Sequence, residues 1–305
     1  MDPQELTFQT RADARYVAFL ETIANLRPSL HRYCSRMTGS IFDGEDVVQE
    51  ALFQAYRMLE SFDDSRPLKP WLFRIAHNRC IDFLRRRGVR EEAETAVTAP
   101  DWVMPDEPPG PVLGRAVEHL VLALPPKERA AVLLKDVFDY SLEEIAELVD
   151  STVGGVKAAL HRGRSKLPGS AEREAARRER SADEARLLRL YVDRFNQRDW
   201  DGLRELIADD ARLRVMDRFA GPLAEAPYAA NYSRWPIPWR LEVGEVDGEP
   251  VVIILFNRDG GGWKPESAVR LEIADQRVTG IRDYIHCPWI LQAATVITAG
   301  ESDVN

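Results

Sequence analysis

One stretch of the chain carries side chains suited to holding unpaired nucleic-acid bases. At 100° per residue, a helix running from the segment 67–70 through Arg87 brings an aromatic ring, an amide and cations onto one stripe. Unpaired bases stack on aromatic rings and hydrogen-bond to amides, while cations neutralise phosphates. The stripe predicts contact with opened nucleic acid, and its alternative is a core tryptophan beside solvated arginines. Its members are Trp71, Arg74, Asn78, Asp82 and Arg85.

A second stretch predicts two short helices joined by a tight turn. Ser141 and Glu144 have the spacing of a capping box, and Thr152 is placed to cap the second helix, over 153–167. That helix has no acidic residue, which suits docking into the phosphate-lined major groove of DNA. A helical hairpin used only for packing is the alternative. The candidate DNA contacts are Thr152, Lys157, His161, Arg162, Arg164 and Lys166.

A further helix is predicted to begin with Asp43 as its N-cap and to run to Leu59. One face of it is apolar, whereas the other sets Phe53 among carboxylate and amide side chains. An exposed aromatic ring in such company indicates a protein contact, and the alternative is a solvated face with one stray aromatic. The candidate contact residues are Asp46, Gln49, Glu50 and Phe53.

The composition favours a soluble chain of two or three domains. The chain has 305 residues, a formal net charge of −9, and 45% hydrophobic and 30% charged residues. No apolar run approaches the ~20 residues of a membrane-spanning helix, and the first residues lack the apolar core of a signal peptide. We therefore expect a cytoplasmic protein without membrane contact. Three widely spaced cysteines offer no disulfide framework, and no catalytic residue, metal site or cofactor is predicted.

The punctuation of the chain indicates two helical blocks and a strand-rich third unit. A Pro-rich stretch with four carboxylates and no Lys or Arg separates the helical blocks, as an extended acidic linker would. The predicted fold class is multidomain, with two all-α domains followed by an α+β domain. The boundaries are 12–92 and 112–168 for the helical blocks, 93–111 for the linker, 181–290 for the third unit and 291–305 for a tail.

In the third unit, short apolar runs separated by turns such as Asp247-Gly248 predict successive antiparallel hairpins. On the run over 277–285, Asp283 alternates in phase with Ile281 and therefore points to the apolar side. Burial would raise the pKa of this carboxyl and suit it to acid–base chemistry. A structural carboxylate, hydrogen-bonded to backbone or to an arginine, is the alternative.

The two helical blocks together resemble the bacterial sigma-70 family, in its extracytoplasmic-function (ECF) group, which keeps only regions 2 and 4. The resemblance covers residues about 16 to 168, with two linked motifs in the expected order. The matching stretches are 46–50 (Asp-Val-Val-Gln-Glu), 71–79 (Trp-Leu-Phe-Arg-Ile-Ala-His-Asn-Arg), 124–129 (Leu-Pro-Pro-Lys-Glu-Arg) and 140–146 (Tyr-Ser-Leu-Glu-Glu-Ile-Ala).

This resemblance implies a partner for each surface. Asp46, Gln49, Glu50 and Phe53 would contact the clamp helices in the largest subunit of core RNA polymerase, and the helix from Val153 would read the minus-35 promoter element. Departures from the family pattern at Gly154-Gly155 and Ala158-Ala159 imply weak or altered minus-35 reading. The residues that would open and hold the minus-ten element are Lys69, Trp71, Arg74, Asn78, Arg79, Arg85 and Arg86.

The third unit resembles the SnoaL-like cone fold that some ECF sigma factors carry as a C-terminal extension. Trp102 in the linker and the run Asp259, Gly260, Gly261 and Gly262 echo short motifs of such proteins. The implied function is a sigma factor regulated by its own C-terminal domain, through an intramolecular contact with the sigma regions or through help with polymerase engagement. The alternative is a helix-turn-helix DNA-binding regulator fused to a ligand-sensing or enzymatic cone domain.

Overall fold

A computed structural model gives the architecture of residues 3–63, 65–94, 121–167, 182–294 and 297–299. The chain forms two compact units, residues 1–173 and 174–305. The predicted linker over 93–111, including Trp102, lies outside the described residues except for positions 93 and 94, which end a helix. Among the helices of the described residues, no 18-residue window has the hydropathy of a bilayer-spanning segment.

Three long helices build the first part of the first unit. They are α1 (Pro3–Thr38), α2 (Ile41–Met58) and α3 (Leu68–Glu94). The predicted N-cap of α2 was wrong: Ser40, in extended conformation, accepts hydrogen bonds from the backbone of Phe42 and Asp43, so Asp43 lies in the first turn. The helix starts earlier because Gly39, with φ of +86°, reverses the chain directly after α1.

The second part of this unit contains the predicted pair of short helices. They are α5 (Leu142–Leu148) and α6 (Val153–Lys166), after α4 (Pro126–Val132). The capping box of Ser141 and Glu144 and the Thr152 cap are confirmed. The sequence pattern over 126–137, which opens with Pro125-Pro126, predicts one continuous helix. Instead, a π turn occupies Leu133–Val137, where the Phe138 amide donates to the Leu133 carbonyl. The π turn shifts the chain by one residue just before the helix pair.

Both parts of the first unit share one hydrophobic core. The Tyr33 and Phe73 rings each lie 5.9 Å from the Phe138 ring, and Phe73 also packs against Tyr140. Arg129 at the start of α4 is buried, and it donates to the Met37 carbonyl at the end of α1 and to three carbonyls of the segment 121–124. The α5–α6 pair is thereby joined to the three long helices.

The described residues of the second unit form a seven-stranded sheet and three α-helices. The strand order is β2-β1-β6-β5-β4-β3-β7, and every pairing is antiparallel except β1 with β6. The strands are β1 (Ile207–Val215), β2 (Phe219–Pro222), β3 (Trp239–Val246), β4 (Glu249–Phe256), β5 (Lys264–Ala274), β6 (Arg277–Asp283) and β7 (Ile297–Ala299). The helices are α7 (Ala182–Gln197), α8 (Trp200–Leu206) and α9 (Tyr228–Ser233).

The expected hairpins β3–β4, β4–β5 and β5–β6 are confirmed, as is the fold class of two helical regions followed by an α+β domain. Strands β2 and β7 and helix α9 were not predicted from the sequence. Because β7 pairs with β3, residues 297–299 belong to the sheet and not to a tail. The parallel pairing of β1 with β6 was also missed, since these strands lie more than 60 residues apart.

Candidate protein and nucleic-acid interfaces

An open cleft of about 480 Å³ lies between α2 and α3. Phe53, at 66% exposure, stands at this cleft, and Glu50 is exposed one turn before it. Asp46 and Gln49 are half-buried, so Glu50 and Phe53 are the most accessible of the four predicted protein contacts. An exposed ring beside both charge signs suits a protein partner. The cleft is lined by Glu50, Phe53, Gln54, Arg57, Met58 and Arg79.

Arg79 was assigned to the nucleic-acid surface by resemblance, but its side chain reaches the cleft. Its Nε donates to Gln54 Oε1 at 2.7 Å, and its Nη1 lies 3.6 Å from an Asp82 carboxylate oxygen. Arg79 therefore belongs at the boundary of the two surfaces. Gln54 and Met58 were missed in the sequence, although Gln54 lies four residues after Glu50 and so shares its side of the helix.

On α3, the predicted stripe forms a partly exposed surface. Trp71 is half-buried, with its ring 4.6 Å from the Phe62 ring, while Asn78 is exposed. Arg74 lies 3.8 Å from an Asp150 carboxylate oxygen, and the Lys69 ammonium lies 5.3 Å from the Tyr140 ring centroid. Trp71 is thus partly accessible, on the same side of α3 as the exposed Asn78 amide two helical turns later.

Arg85 and Arg86, towards the far end of α3, form exposed ion pairs. Arg85 lies 4.0 Å from Asp82, and Arg86 lies 3.6 Å from Glu50. Exposed pairs of this kind contribute about 0–1 kcal/mol and are screened by salt. A phosphate can therefore replace the carboxylates at little energetic cost.

The basic residues of α6 divide into an outer set and an inner set, the latter named for its ion pairs to buried carboxylates, although Arg162 and Lys166 in it are themselves exposed. Lys157 and His161 are exposed and lie one turn apart, next to the exposed Ala158. Thr152 caps the helix through a hydrogen bond from the Gly155 amide. The other predicted contacts are tied to carboxylates on preceding segments: Arg162 and Lys166 to Glu128, and Arg164 to Asp136.

The inner set is therefore partly neutralised within the unit. The hydrogen bonds that Arg164 donates to the Asp136 carboxylate raise the pKa of its guanidinium above its usual range. Glu128 and Asp136 are buried at the side chain, which strengthens these pairs relative to surface ones. Of the six candidates on this helix, Lys157 and His161 are the ones best placed to reach DNA.

In the second unit, Asp283 is fully buried, as its phase on β6 predicted. One carboxylate oxygen accepts hydrogen bonds from the Tyr228 and Tyr232 hydroxyls at 2.9 and 2.6 Å, and the other accepts from the Ile285 amide at 2.9 Å. Burial raises the pKa of this carboxyl despite these donors. The predicted hydrogen bond between Asp283 and the backbone is confirmed by the Ile285 amide, and two tyrosine hydroxyls that were not predicted complete its partners.

The run Asp259–Gly262 forms an exposed turn between β4 and β5. Gly260 and Gly262 have φ of +69° and +109°, which explains the need for glycine. The Arg240 guanidinium lies over the adjoining Trp263 ring, 4.8 Å from the ring centroid. A regulatory role for this turn stays a prediction.

Comparison with known proteins gives two family matches. Residues 22–90 match Sigma-70 region 2, and residues 114–167 match Sigma-70, region 4. The ECF RNA polymerase sigma factor SigW of Bacillus subtilis is 34% identical over 162 residues, which cover 49% of this chain and 87% of SigW.

Solved structures align with this chain at lower sequence identity. The crystal structure of the extracytoplasmic function sigma factor SigJ of Mycobacterium tuberculosis aligns with 18% identity and a TM-score of 0.34, over 88% of this chain and 97% of SigJ. An NTF2-like protein of unknown function from Cytophaga hutchinsonii aligns with 10% identity and a TM-score of 0.26, over 35% of this chain and 92% of that protein.

Proposed function

The chain belongs to the ECF RNA polymerase sigma factors, and from this premise we propose which of its surfaces carries each step of promoter-directed initiation. A sigma factor directs core RNA polymerase to promoters, and family membership supports a role without catalysis of its own. We place its action in the cytoplasm, together with the polymerase.

The cleft at Phe53 is the proposed polymerase contact, with the clamp helices of the largest subunit as its partner. The observation that carries this proposal is the 66% exposure of Phe53 beside Glu50 at an open cleft. Aromatic side chains at the centre of an interface contribute most of the binding free energy, whereas charges at its rim mainly fix orientation.

The stripe on α3 is the proposed minus-ten surface. Opening the duplex costs a few kcal/mol of base stacking, which the half-exposed Trp71 ring and the Asn78 amide can offset by contacting a flipped base. Lys69, Arg74, Arg85 and Arg86 would hold the backbone phosphates. None of these steps requires nucleotide hydrolysis.

The outer face of α6 is the proposed minus-35 surface. Lys157 and His161 would approach the DNA, and the small Ala158 between them adds little to base reading. Because Arg162 is ion-paired with Glu128 and Arg164 with Asp136, few cations of this helix remain to contact DNA phosphates. A weak minus-35 contribution follows.

The second unit is proposed to regulate the first. It has its own hydrophobic core and forms a separate compact body, which suits an appended control domain. Three protein groups donate hydrogen bonds to the buried Asp283 carboxylate, which favours a structural role for this residue over acid–base catalysis.

Three substitutions separate the steps. We predict that Phe53→Ser weakens binding to core polymerase by at least about tenfold.

Asn78→Ala should leave binding to core polymerase intact and reduce promoter opening, which is measured by the permanganate reactivity of unpaired thymines.

Lys157→Ala should lower the affinity for DNA and reduce the slope of the salt dependence of that affinity by about one. Asn25→Ser, an exposed change on α1, is the control. Unchanged polymerase binding by Phe53→Ser would contradict the assignment of the cleft.

A further inference from the structure

Two carboxylates that precede the α5–α6 pair bind three cations of α6. Glu128 accepts a hydrogen bond from Arg162 Nε at 2.9 Å with one oxygen and from Lys166 Nζ at 2.8 Å with the other. Asp136 accepts two hydrogen bonds from the Arg164 guanidinium, from Nε at 3.1 Å and from Nη2. The two carboxylate side chains are 7% and 5% exposed, whereas the Arg162 and Lys166 side chains are 49% and 45% exposed. These two cations are therefore open to solvent while their carboxylate is not.

The three cations lie at the two edges of the exposed face of α6. At 100° per residue, Arg164 falls at one edge of this face, and Arg162 and Lys166 fall at the other. The exposed Lys157 and His161 lie between the two edges. A helix in the major groove of DNA has a phosphate backbone on either side. An unpaired cation at either edge would therefore lie within reach of phosphates. The opposite side of the helix is buried, at Val156, Ala159, Leu160 and Gly163.

A buried carboxylate holds its cation more firmly than an exposed one. A phosphate that bound Arg164 would have to displace Asp136, and the displaced carboxylate would stay buried without that partner, which is strongly unfavourable. The exposed pairs of Arg85 and Arg86 on α3 carry no such penalty, since water can solvate their carboxylates. A phosphate therefore competes less well for the cations of α6 than for those of α3.

We propose that Glu128 and Asp136 are positioning residues that limit the affinity of this protein for DNA, because they withhold three cations of α6 from the phosphates. The proposal rests on the proposed function of α6 as a DNA surface. A gain of binding follows: a neutral residue of the same shape at position 128 or 136 frees cations at one edge of the helix, so the affinity for DNA rises. A carboxylate that only fixes α6 to the preceding segments would give no such gain when it is replaced.

The test measures binding of the full chain to a labelled, fully paired DNA duplex by fluorescence anisotropy over a series of potassium chloride concentrations. Glu128→Gln and Asp136→Asn each remove one negative charge, so one further phosphate can be neutralised. We expect each variant to bind about threefold or more tightly at low salt, and to steepen the slope of log affinity against log salt by about one. The matched control is Glu143→Gln, which removes the same charge from an exposed position on α5 and should leave the slope unchanged.

A double substitution tests whether the freed cation produces the gain. Asp136→Asn together with Arg164→Gln removes both members of one ion pair, so no cation is released at that edge of the helix. This variant should bind DNA with the affinity and the salt slope of the unaltered chain. A gain that persisted without Arg164 would contradict the proposal.

Lys157→Ala separates failure of this proposal from failure of the DNA surface. If Lys157→Ala weakens binding while Glu128→Gln and Asp136→Asn bring no gain, the carboxylates only support the fold and the DNA surface on α6 stands. If Lys157→Ala also leaves binding unchanged, both assignments fail. Thermal unfolding is measured for every variant: where one carboxylate variant unfolds early the other carries the test, and loss of the fold in both would overturn the proposal. An equal gain in Glu143→Gln would assign the effect to net charge and overturn it as well.

Discussion

At the scale of single residues, two buried polar groups show how the fold sets chemistry that the sequence only suggests. His77 on α3 lies inside the first unit, with its Nδ1 2.8 Å from the Tyr33 hydroxyl, and burial lowers its pKa to about 4. Asp283 is held by tyrosines 51 and 55 residues away. The burial of Asp283 was readable from its phase on the strand, but its partners were not, because α9 was not predicted.

The depressed pKa of His77 makes stability depend on pH. Between pH 6.5 and about 4 the unfolded chain binds a proton that the folded His77 excludes, so the free energy of unfolding falls as pH falls through this window. The loss amounts to about 3 kcal/mol at most. His77→Gln keeps a polar partner for Tyr33 and should remove about that part of the pH dependence in urea unfolding. His31, also buried with a lowered pKa, supplies a separate contribution that stays.

The control is Asn25→Ser, an exposed substitution on α1 that removes no titratable group and should leave the pH dependence unchanged. Equal pH dependence in His77→Gln and in the unaltered chain would contradict the assigned role of His77.

At the scale of elements, α6 shows opposite demands on its glycines. A Cβ on Gly154 would find only the Thr152 hydroxyl at 3.9 Å, whereas a Cβ on Gly163 would lie 2.8 Å from Val132 Cγ2. Gly154→Ala should therefore raise the free energy of unfolding by roughly 0.4–1 kcal/mol, because alanine lowers the conformational entropy of the unfolded chain. Gly163→Ala should destabilise it by about 1–3 kcal/mol, because α4 must move away. Urea unfolding of both variants checks the prediction, and the opposite order of stabilities would contradict it.

Local signals predicted elements well, and long-range pairing explains the errors. The capping box of Ser141 and Glu144 needs only four residues, so the sequence sufficed. The π turn at 133–137 depends on packing of Phe138 against α1 and α3, and the parallel pairing of β1 with β6 depends on distant strands. For the same reason Arg79 was assigned only to the nucleic-acid surface, because its hydrogen bond from α3 to Gln54 on α2 depends on how the two helices pack.

At the scale of the whole molecule, the first unit holds both proposed promoter surfaces on one core. A folded body of about 150 residues is roughly 40 Å across. The minus-ten and minus-35 elements are about 25 base pairs apart, or roughly 85 Å along the DNA. The α4–α6 part must therefore separate from α3, where Tyr140 and Asp150 now lie beside Lys69 and Arg74, before both elements can be bound together.

The most direct test of the account is multi-round transcription with bacterial core RNA polymerase on a library of genomic fragments, comparing the full chain with residues 1–173. We predict promoter-specific transcripts from residues 1–173, because the proposed polymerase and promoter surfaces all lie in the first unit. The full chain should use the same start sites at a different yield, which gives the sign of regulation by the second unit. Absence of specific transcripts from both proteins, with no co-elution with core enzyme, would contradict the account.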